Sequence, residues 1–458
     1  MTELWRLSAV EIVALLKKGE VAPAELIDAA AARIEAVDGA VNALPIRCFE
    51  RARGLAESAR GRVPLYGLPV AIKDSMDVAG VRSTQGSPIF ADHVPARSDI
   101  QVERLEAKGA LVVARSNAPE FAAGANTFNE VFGATLNPFD TRMTCGGSSG
   151  GSAVALATGM VWLANGSDLG GSLRIPASFC SVVGFRPSPG VVAQGPSAIA
   201  FDDLAVSGPM ARDVGDIMLM LEAMSGEDVR DPLSIALPRR EPPSKLRAGW
   251  SPDLGFLPVD PEVRAICAAA AERLTELGAE VEETGPDLSG ARETFHTLRA
   301  LRFAAAKKDL LLEHRARLKP EVVWNIEQGL KLTADEVGRA MRERAALYQR
   351  VAAFFETHDL LLSPVVMVPP FPVEQRWVEE CAGVRFDNYV DWLGHTYAIT
   401  LTRCPALSLP CGFTRAGLPV GLQIVGPPMS DWALLEVARR FETVLGIAKD
   451  VPINPLTQ

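Results

Sequence analysis

Histidine is scarce in this chain. There are five in 458 residues, His93, His296, His314, His358 and His395, and all lie outside the glycine-serine clusters described below. No group of His, Cys and carboxylates has metal-ligand spacing, so no metal is expected, and no other cofactor. Neither glycine cluster fits the GxxxxGK[ST] loop that cradles nucleotide phosphates. The seven cysteines (Cys48, Cys145, Cys180, Cys267, Cys381, Cys404, Cys411) form no CxxC pair and read as reduced, buried small residues. No apolar run reaches the ~18 residues of a spanning helix. The opening MTELWRLSAVEIVALLKKGE lacks the charged start and apolar core of a secretory signal. A cytoplasmic location with no membrane partner is the expectation. The chain also lacks a basic run, and with a net charge of −10 nucleic acid is not an expected partner. Internal repeats and low-complexity segments are absent as well.

What is present is an ordinary globular composition, 48% hydrophobic and 22% charged, with ample material for a core. The organising stretch is Thr144 to Pro176, TCGGSSGGSAVALATGMVWLANGSDLGGSLRIP. One Gly-Gly-Ser cluster ends at Ser148 and a second at Ser172, 24 residues on. A helix over about Ser152 to Gly159 and a strand over about Val161 to Asn165 would fill the gap and return the second serine to the first. Another helix is expected to begin near Leu173. Glycines beside a serine let the backbone approach a reacting group, and successive amides in such a turn converge on developing negative charge.

These residues, Gly146-Gly147-Ser148-Ser149-Gly150-Gly151-Ser152 and Asp168-Leu169-Gly170-Gly171-Ser172-Leu173-Arg174-Ile175-Pro176, resemble the signature of the amidase signature hydrolases. The resemblance spans Leu7 to about Glu442. It implies that Ser148 follows a cis peptide bond, that Ser172 is the nucleophile and that Lys73 is the base. It also implies that backbone around Gly124, Ala125 and Asn126 helps line the substrate site. Ala114-Arg115-Ser116-Asn117 departs from the Gly-Lys-Thr-Asn of many members.

The rest of the chain fits one α/β domain, 1–458, although length alone suggests about three. Its expected core is a large twisted mixed, mostly parallel β-sheet with helices on both faces, and a helical cap over the site. Residues 1–60 read as an N-terminal helical wrap, opened by the capping box Ser8-Ala9-Val10-Glu11 and then by Pro23. Residues 61–230 read as the catalytic core. In it Val70 to Ile72 is a buried strand with Lys73 at its C-terminal end, where α/β sheets place functional groups. Ser98 is read as the cap of a helix running to Lys108. Residues 288–400 read as a variable helical cap and substrate region. There a second capping box, Thr333 to Glu336, precedes an apolar stripe of Val337, Met341, Tyr348, Val351 and Phe355. Trp324, Phe371, Trp377, Phe386 and Trp392 suggest an apolar pocket. Residues 401–458 supply closing strands and a last helix from Asp431 to Glu442.

The chemistry follows from the lack of a histidine near either cluster. A serine hydroxyl needs a base, and a lysine serves once burial lowers its pKa from about 10.4. The expected relay runs from Ser172 through Ser148 to Lys73. Backbone amides of Leu169, Gly170, Gly171 and Ser172 would hold the oxyanion. Ser149, Asp168 and Arg174 are read as groups that shape the loop. Ile175 stands where the related transfer-RNA amidotransferase A subunits commonly carry glutamine, and it favours an apolar acyl or aryl group. The leading expectation is a stand-alone hydrolase of an apolar or aryl amide, extending to carbamates (urethanes) and esters, acting as a monomer or homodimer on a small molecule. The alternative is a glutaminase-type A subunit of an amidotransferase complex.

Overall fold

The computed structural model describes residues 3–58, 63–237, 239–447 and 450–457. Its centre is one large mixed sheet of eleven strands with helices on both faces. In spatial order the strands are Ile46–Arg47, Leu111–Ser116, Pro69–Lys73, Leu163–Asp168, Val206–Ala211, Val183–Arg186, Ala406–Phe413, Pro419–Val425, Leu360–Pro364, Arg247–Trp250 and Glu280–Glu283.

Parallel pairing forms two blocks. One is Leu111–Ser116, Pro69–Lys73 and Leu163–Asp168, and the other is Leu360–Pro364, Arg247–Trp250 and Glu280–Glu283. Strand-helix-strand connections build both, as the sequence rhythm predicts. Between the blocks every pairing is antiparallel, and the strand Ile46–Arg47 adds an antiparallel edge. The expected parallel character thus belongs to the blocks. One central pairing, between Ala406–Phe413 and Pro419–Val425, is a short hairpin, which allows no crossover.

Strand side chains alternate between faces, and here both faces are buried. Val70 and Ile72 pack into one core with Leu163, Leu407 and Leu409, whereas Ala71 packs into another with Ala164 and Val154. Every residue of Pro69–Lys73 is buried. By the same alternation Lys73 shares the Ala71 face, against which the helix Gly150–Ala157 packs. That helix and the strand Leu163–Asp168 are the elements expected between the two serine clusters, displaced by two to three residues.

Both capping boxes form. Ser8 Oγ accepts from Glu11 N at 3.2 Å while Ser8 N donates to the Glu11 carboxylate at 2.8 Å, and Thr333 and Glu336 make the same exchange. Three helices, Ala291–His314, Pro320–Leu330 and Ala334–Phe354, occupy the expected helical region. Two readings are corrected there and upstream. The last helix of the three buries Val351 of the proposed stripe beside Ala340 and Leu347, and Phe355 packs against the same core, but Met341 is 62% exposed and lies off the packed face. Asp99, not Ser98, occupies the cap position of Ile100–Ala107, and Ser98 Oγ instead accepts from Ala79 N at 2.9 Å. No helix among the described residues is long and apolar enough to cross a membrane.

Candidate active site

Lys73 and Asp168 end neighbouring parallel strands and so lie at the same edge of the sheet. The Lys73 side chain is fully buried, and its Nζ lies 2.6 Å from Ser148 Oγ, 3.0 Å from Ser149 Oγ and 3.0 Å from Ser167 Oγ. Three neutral hydroxyls do little to hold a proton on an ammonium. Burial pushes the lysine pKa down to about 7, with Asp168 acting weakly in the opposite sense. The peptide bond Gly147–Ser148 is cis, as the resemblance implies. At Gly150 a Cβ would lie 2.3 Å from Thr127 Oγ1 and 2.6 Å from Cys145 Sγ, so glycine is what lets the first cluster sit against its neighbours.

The second cluster is shaped by a buried carboxylate. Arg174 donates from Nε and Nη2 to the two oxygens of Asp168 at 2.9 and 2.8 Å, and Arg186 Nη1 reaches Asp168 Oδ1 at 3.2 Å. Gly171 N and Leu173 N also donate to it, at 3.0 and 3.3 Å. Burial disfavours the charged form, but Arg174, then Arg186 and Gly171 N, overcome it and hold Asp168 well below the usual carboxylate range. Of the four amides expected to face an oxyanion, Gly171 N is therefore engaged by Asp168. Those of Leu169, Gly170 and Ser172 carry no hydrogen bond within the described residues. Ser149 N bonds Ser172 O at 3.2 Å and ties the two clusters together.

Gly171 has φ of +112°, and a Cβ there would lie 2.3 Å from Thr396 Oγ1. Thr396 Oγ1 itself donates to Gly170 O at 2.7 Å. Gly171→Ala is expected to destabilise the protein by about 1–3 kcal/mol and to lower kcat as the amides swing out of line. Thermal melting beside steady-state kinetics checks this, and wild-type values for both would contradict it.

A cavity of about 280 Å³ opens over the site, and Ser148, Ser167, Leu169 and Ser172 form part of its lining. Ser172 is half-buried and Ser148 fully buried, so the second serine is the one presented to the cavity. Among the described residues no hydrogen bond joins their hydroxyls. No histidine lines the cavity. Cys145 is fully buried, and burial pushes its thiol up to about 12, which leaves it unreactive.

The chain is similar to known proteins over nearly its whole length. An amidase family model matches residues 25–435. The acylamidase of Rhodococcus erythropolis is 36% identical over 479 residues, spanning 100% of this chain and 99% of that one. The chain belongs to the amidase signature family. A Glutamyl-tRNA(Gln) amidotransferase chain of the A type, from Moorella thermoacetica, is likewise 36% identical, over 96% of this chain and 97% of its own. Among solved structures of the family, a bacterial aryl acylamidase superposes with a TM-score of 0.88 at 26% identity, covering 98% of this chain and 99% of that one. A 6-aminohexanoate cyclic dimer hydrolase also gives 0.88, at 27% identity over 99% and 100%.

Within this amidase signature chain several expected site residues stand elsewhere. Asn126 is buried, and its side chain holds Val373 O, Gln375 O and Thr144 Oγ1, while Ala125 packs behind Gly147. Gly124, Ala125 and Asn126 do not line the cavity, whose nearest contributions from this segment are Phe121 and Ala122. Ile175 is also fully buried and is not among the lining residues, its side chain lying close to Gly146 and Gly171. It belongs to the short helix Arg174–Phe179 and packs into an apolar core with Phe179 and Tyr397. The five aromatic residues read as a pocket instead pack in or around a separate apolar core. The cavity is lined by mixed residues, among them Gln101, Gln194 and Ser207 beside Phe121, Ile199 and Phe303.

Sequence reasoning missed Ser167, Thr396, Arg186 and Gln423, the last of which accepts from Arg174 Nη1 at 2.7 Å. Only Ser167 carried a local signal, one residue before Asp168. The departure at Arg115 has a structural account. Its buried guanidinium pairs with Asp74 at 3.3 Å and donates to Lys73 O at 3.2 Å, clamping the chain that leaves the lysine.

Proposed function

We propose that this chain is a stand-alone serine hydrolase that cleaves the C–N bond of a linear acyl or aryl amide through an acyl-enzyme on Ser172. What carries the reading is the buried Lys73 amine, 2.6 Å from Oγ of Ser148, a serine that lines the same cavity as Ser172. In its neutral form Lys73 takes the proton of Ser148 Oγ as Ser148 takes that of Ser172. Ser172 Oγ attacks the carbonyl carbon, and the N–H groups of Leu169, Gly170 and Ser172 receive the oxyanion. Collapse breaks the C–N bond, and the proton returns through Ser148 to the departing amine. A water molecule then enters by the same relay, and its oxygen displaces Ser172 from the acyl carbon. Carbamates and esters present the same carbonyl and fall within reach of this mechanism.

The relatives named acylamidase and aryl acylamidase support an amide of this kind. Phe121, Leu169, Ile199, Leu233 and Phe303 provide apolar lining for its body. The amidotransferase relative supports the alternative, glutamine hydrolysis within a multisubunit complex. Hydrolysis of 4-nitroacetanilide, a nitrophenyl carbamate, glutamine and malonamide by the purified chain, beside Ser172→Ala and Lys73→Ala, distinguishes them. Release of nitroaniline or nitrophenol that both substitutions abolish supports the proposal. Turnover of glutamine only with added partner subunits would sink it in favour of the alternative.

The pH profile gives a second test. The relay needs unprotonated Lys73, whose pKa lies at about 7. Activity is therefore expected to fall below that pH, as the amine gains a proton, and to level off above it. The inflection of kcat/KM reports the free enzyme. A profile that stays flat from about pH 5 to about pH 9 would exclude Lys73 as the base.

A further inference from the structure

Four cationic side chains line the cavity that holds Ser172: Arg230, Arg299, Arg302 and Lys307. Arg230 is paired with Asp228 and Glu103, at 2.9 and 2.8 Å, and Arg302 with Asp202. Arg299 is buried and donates only to neutral groups, Tyr389 Oη at 2.7 Å and Asn325 Oδ1 at 3.2 Å. Lys307 makes neither a hydrogen bond nor an ion pair among the described residues. Its ammonium sits 4.0 Å from the centroid of Phe121. Phe121 also lines the cavity and is held at φ +49°, a left-handed conformation unusual for a bulky residue.

The four cavity acids do not answer this charge. Asp202 is committed to Arg302, Asp203 to Arg344 and Arg403, and Asp231 accepts the backbone amides of Gln194 and Leu233. Asp99 lies against Asp77, and burial, then that neighbour, raise its pKa to about 7. Glu120 attracts Lys307 from outside the cavity, but its oxygens are taken by Ser87 Oγ at 2.6 Å and Lys319 N at 2.7 Å. Arg299, Arg302, Phe303 and Lys307 fall on one face of the helix Ala291–His314, so this wall presents two cations with no carboxylate partner.

We propose that Lys307, seated on Phe121, is a specificity-determining residue that binds a carboxylate carried by the substrate amide away from its scissile bond. The inference rests on the cavity being the amide site and adds the chemical class of what enters it. An apolar linker would lie along Phe121, Phe303 and Leu169, and the carboxylate would supply the partner that Lys307 lacks.

The test is equilibrium binding to the otherwise intact Ser172→Ala protein, which cannot turn the probes over by the proposed route. One probe pair is adipic acid mono-4-nitroanilide and its methyl ester. The other is 4-acetamidobenzoate and its methyl ester. In at least one pair the acid is expected to bind about 10- to 100-fold more tightly, the range of a hydrogen bond to a charged group. Adding Lys307→Met should remove that difference, and Lys307→Arg should keep most of it. Equal affinities within both pairs, binding of no probe, or a preference that survives Lys307→Met would overturn the proposal. Turnover separates it from the wider reading. If wild type cleaves the neutral anilide and Ser172→Ala does not, the amidase reading stands whatever the carboxylate result. If the binding preference holds but no amide or ester is cleaved, that reading fails alone.

Discussion

Replacing Ser172 with alanine is expected to lower kcat/KM by on the order of 10^4-fold or more while leaving the fold intact. Ser172 is half-buried and lines the cavity, so removing its hydroxyl opens no hole in the core. The relay below it does not depend on that hydroxyl. Lys73 keeps Ser148, Ser149 and Ser167, and the amides of Leu169 and Gly170 keep their positions through Asp168 and Thr396. An unchanged melting temperature, retained binding of a substrate analogue and loss of the acyl-enzyme by mass spectrometry together are the expected result. Covalent acyl transfer persisting in Ser172→Ala would remove the nucleophile assignment, and the mechanism with it.

Asp168→Asn is expected to carry the largest cost in stability, about 3–5 kcal/mol, with activity falling as well. The carboxylate is fully buried between Arg174 and Arg186, and both guanidiniums are fully buried too. Neutralising it leaves two desolvated cations facing an amide that can accept at only one oxygen. Breaking a buried pair from one side is costly for this reason, whatever the intact pair contributes. The same carboxylate aligns the Gly171 and Leu173 amides, so the turn presenting Ser172 should loosen with it. Denaturant melts measure the first effect and kcat the second. Combining Asp168→Asn with Arg174→Met should recover part of the stability, since only one cation then remains without its partner. A single variant as stable as wild type would show that the arginines find other partners.

The sequence by itself determined what local chemistry can encode. Two capping boxes, Pro23 at a helix start, the strand ending at Lys73 and the helix and strand between the glycine clusters are all legible because each depends on residues a few positions apart. The paired Gly-Gly-Ser clusters carried the family resemblance, which implied Lys73, Ser148 and Ser172, and the fold sets Lys73 Nζ 2.6 Å from Ser148 Oγ, with Ser148 and Ser172 lining one cavity. Tertiary structure decided the rest, because facing and pairing are not local properties. Whether Ile175 met substrate or core depended on how its short helix packs, and it meets the core. Thr396, Arg186 and Gln423 join the site from distant segments, with no spacing to announce them. The stripe holds at Val351 and Phe355 but not at Met341, since periodicity fixes a helical face only to within a residue or so and packing selects the side. The exposure of Lys307 to the cavity without an ion pair is likewise a tertiary property, because the fold gives Arg230 and Arg302 their carboxylates and gives Lys307 none.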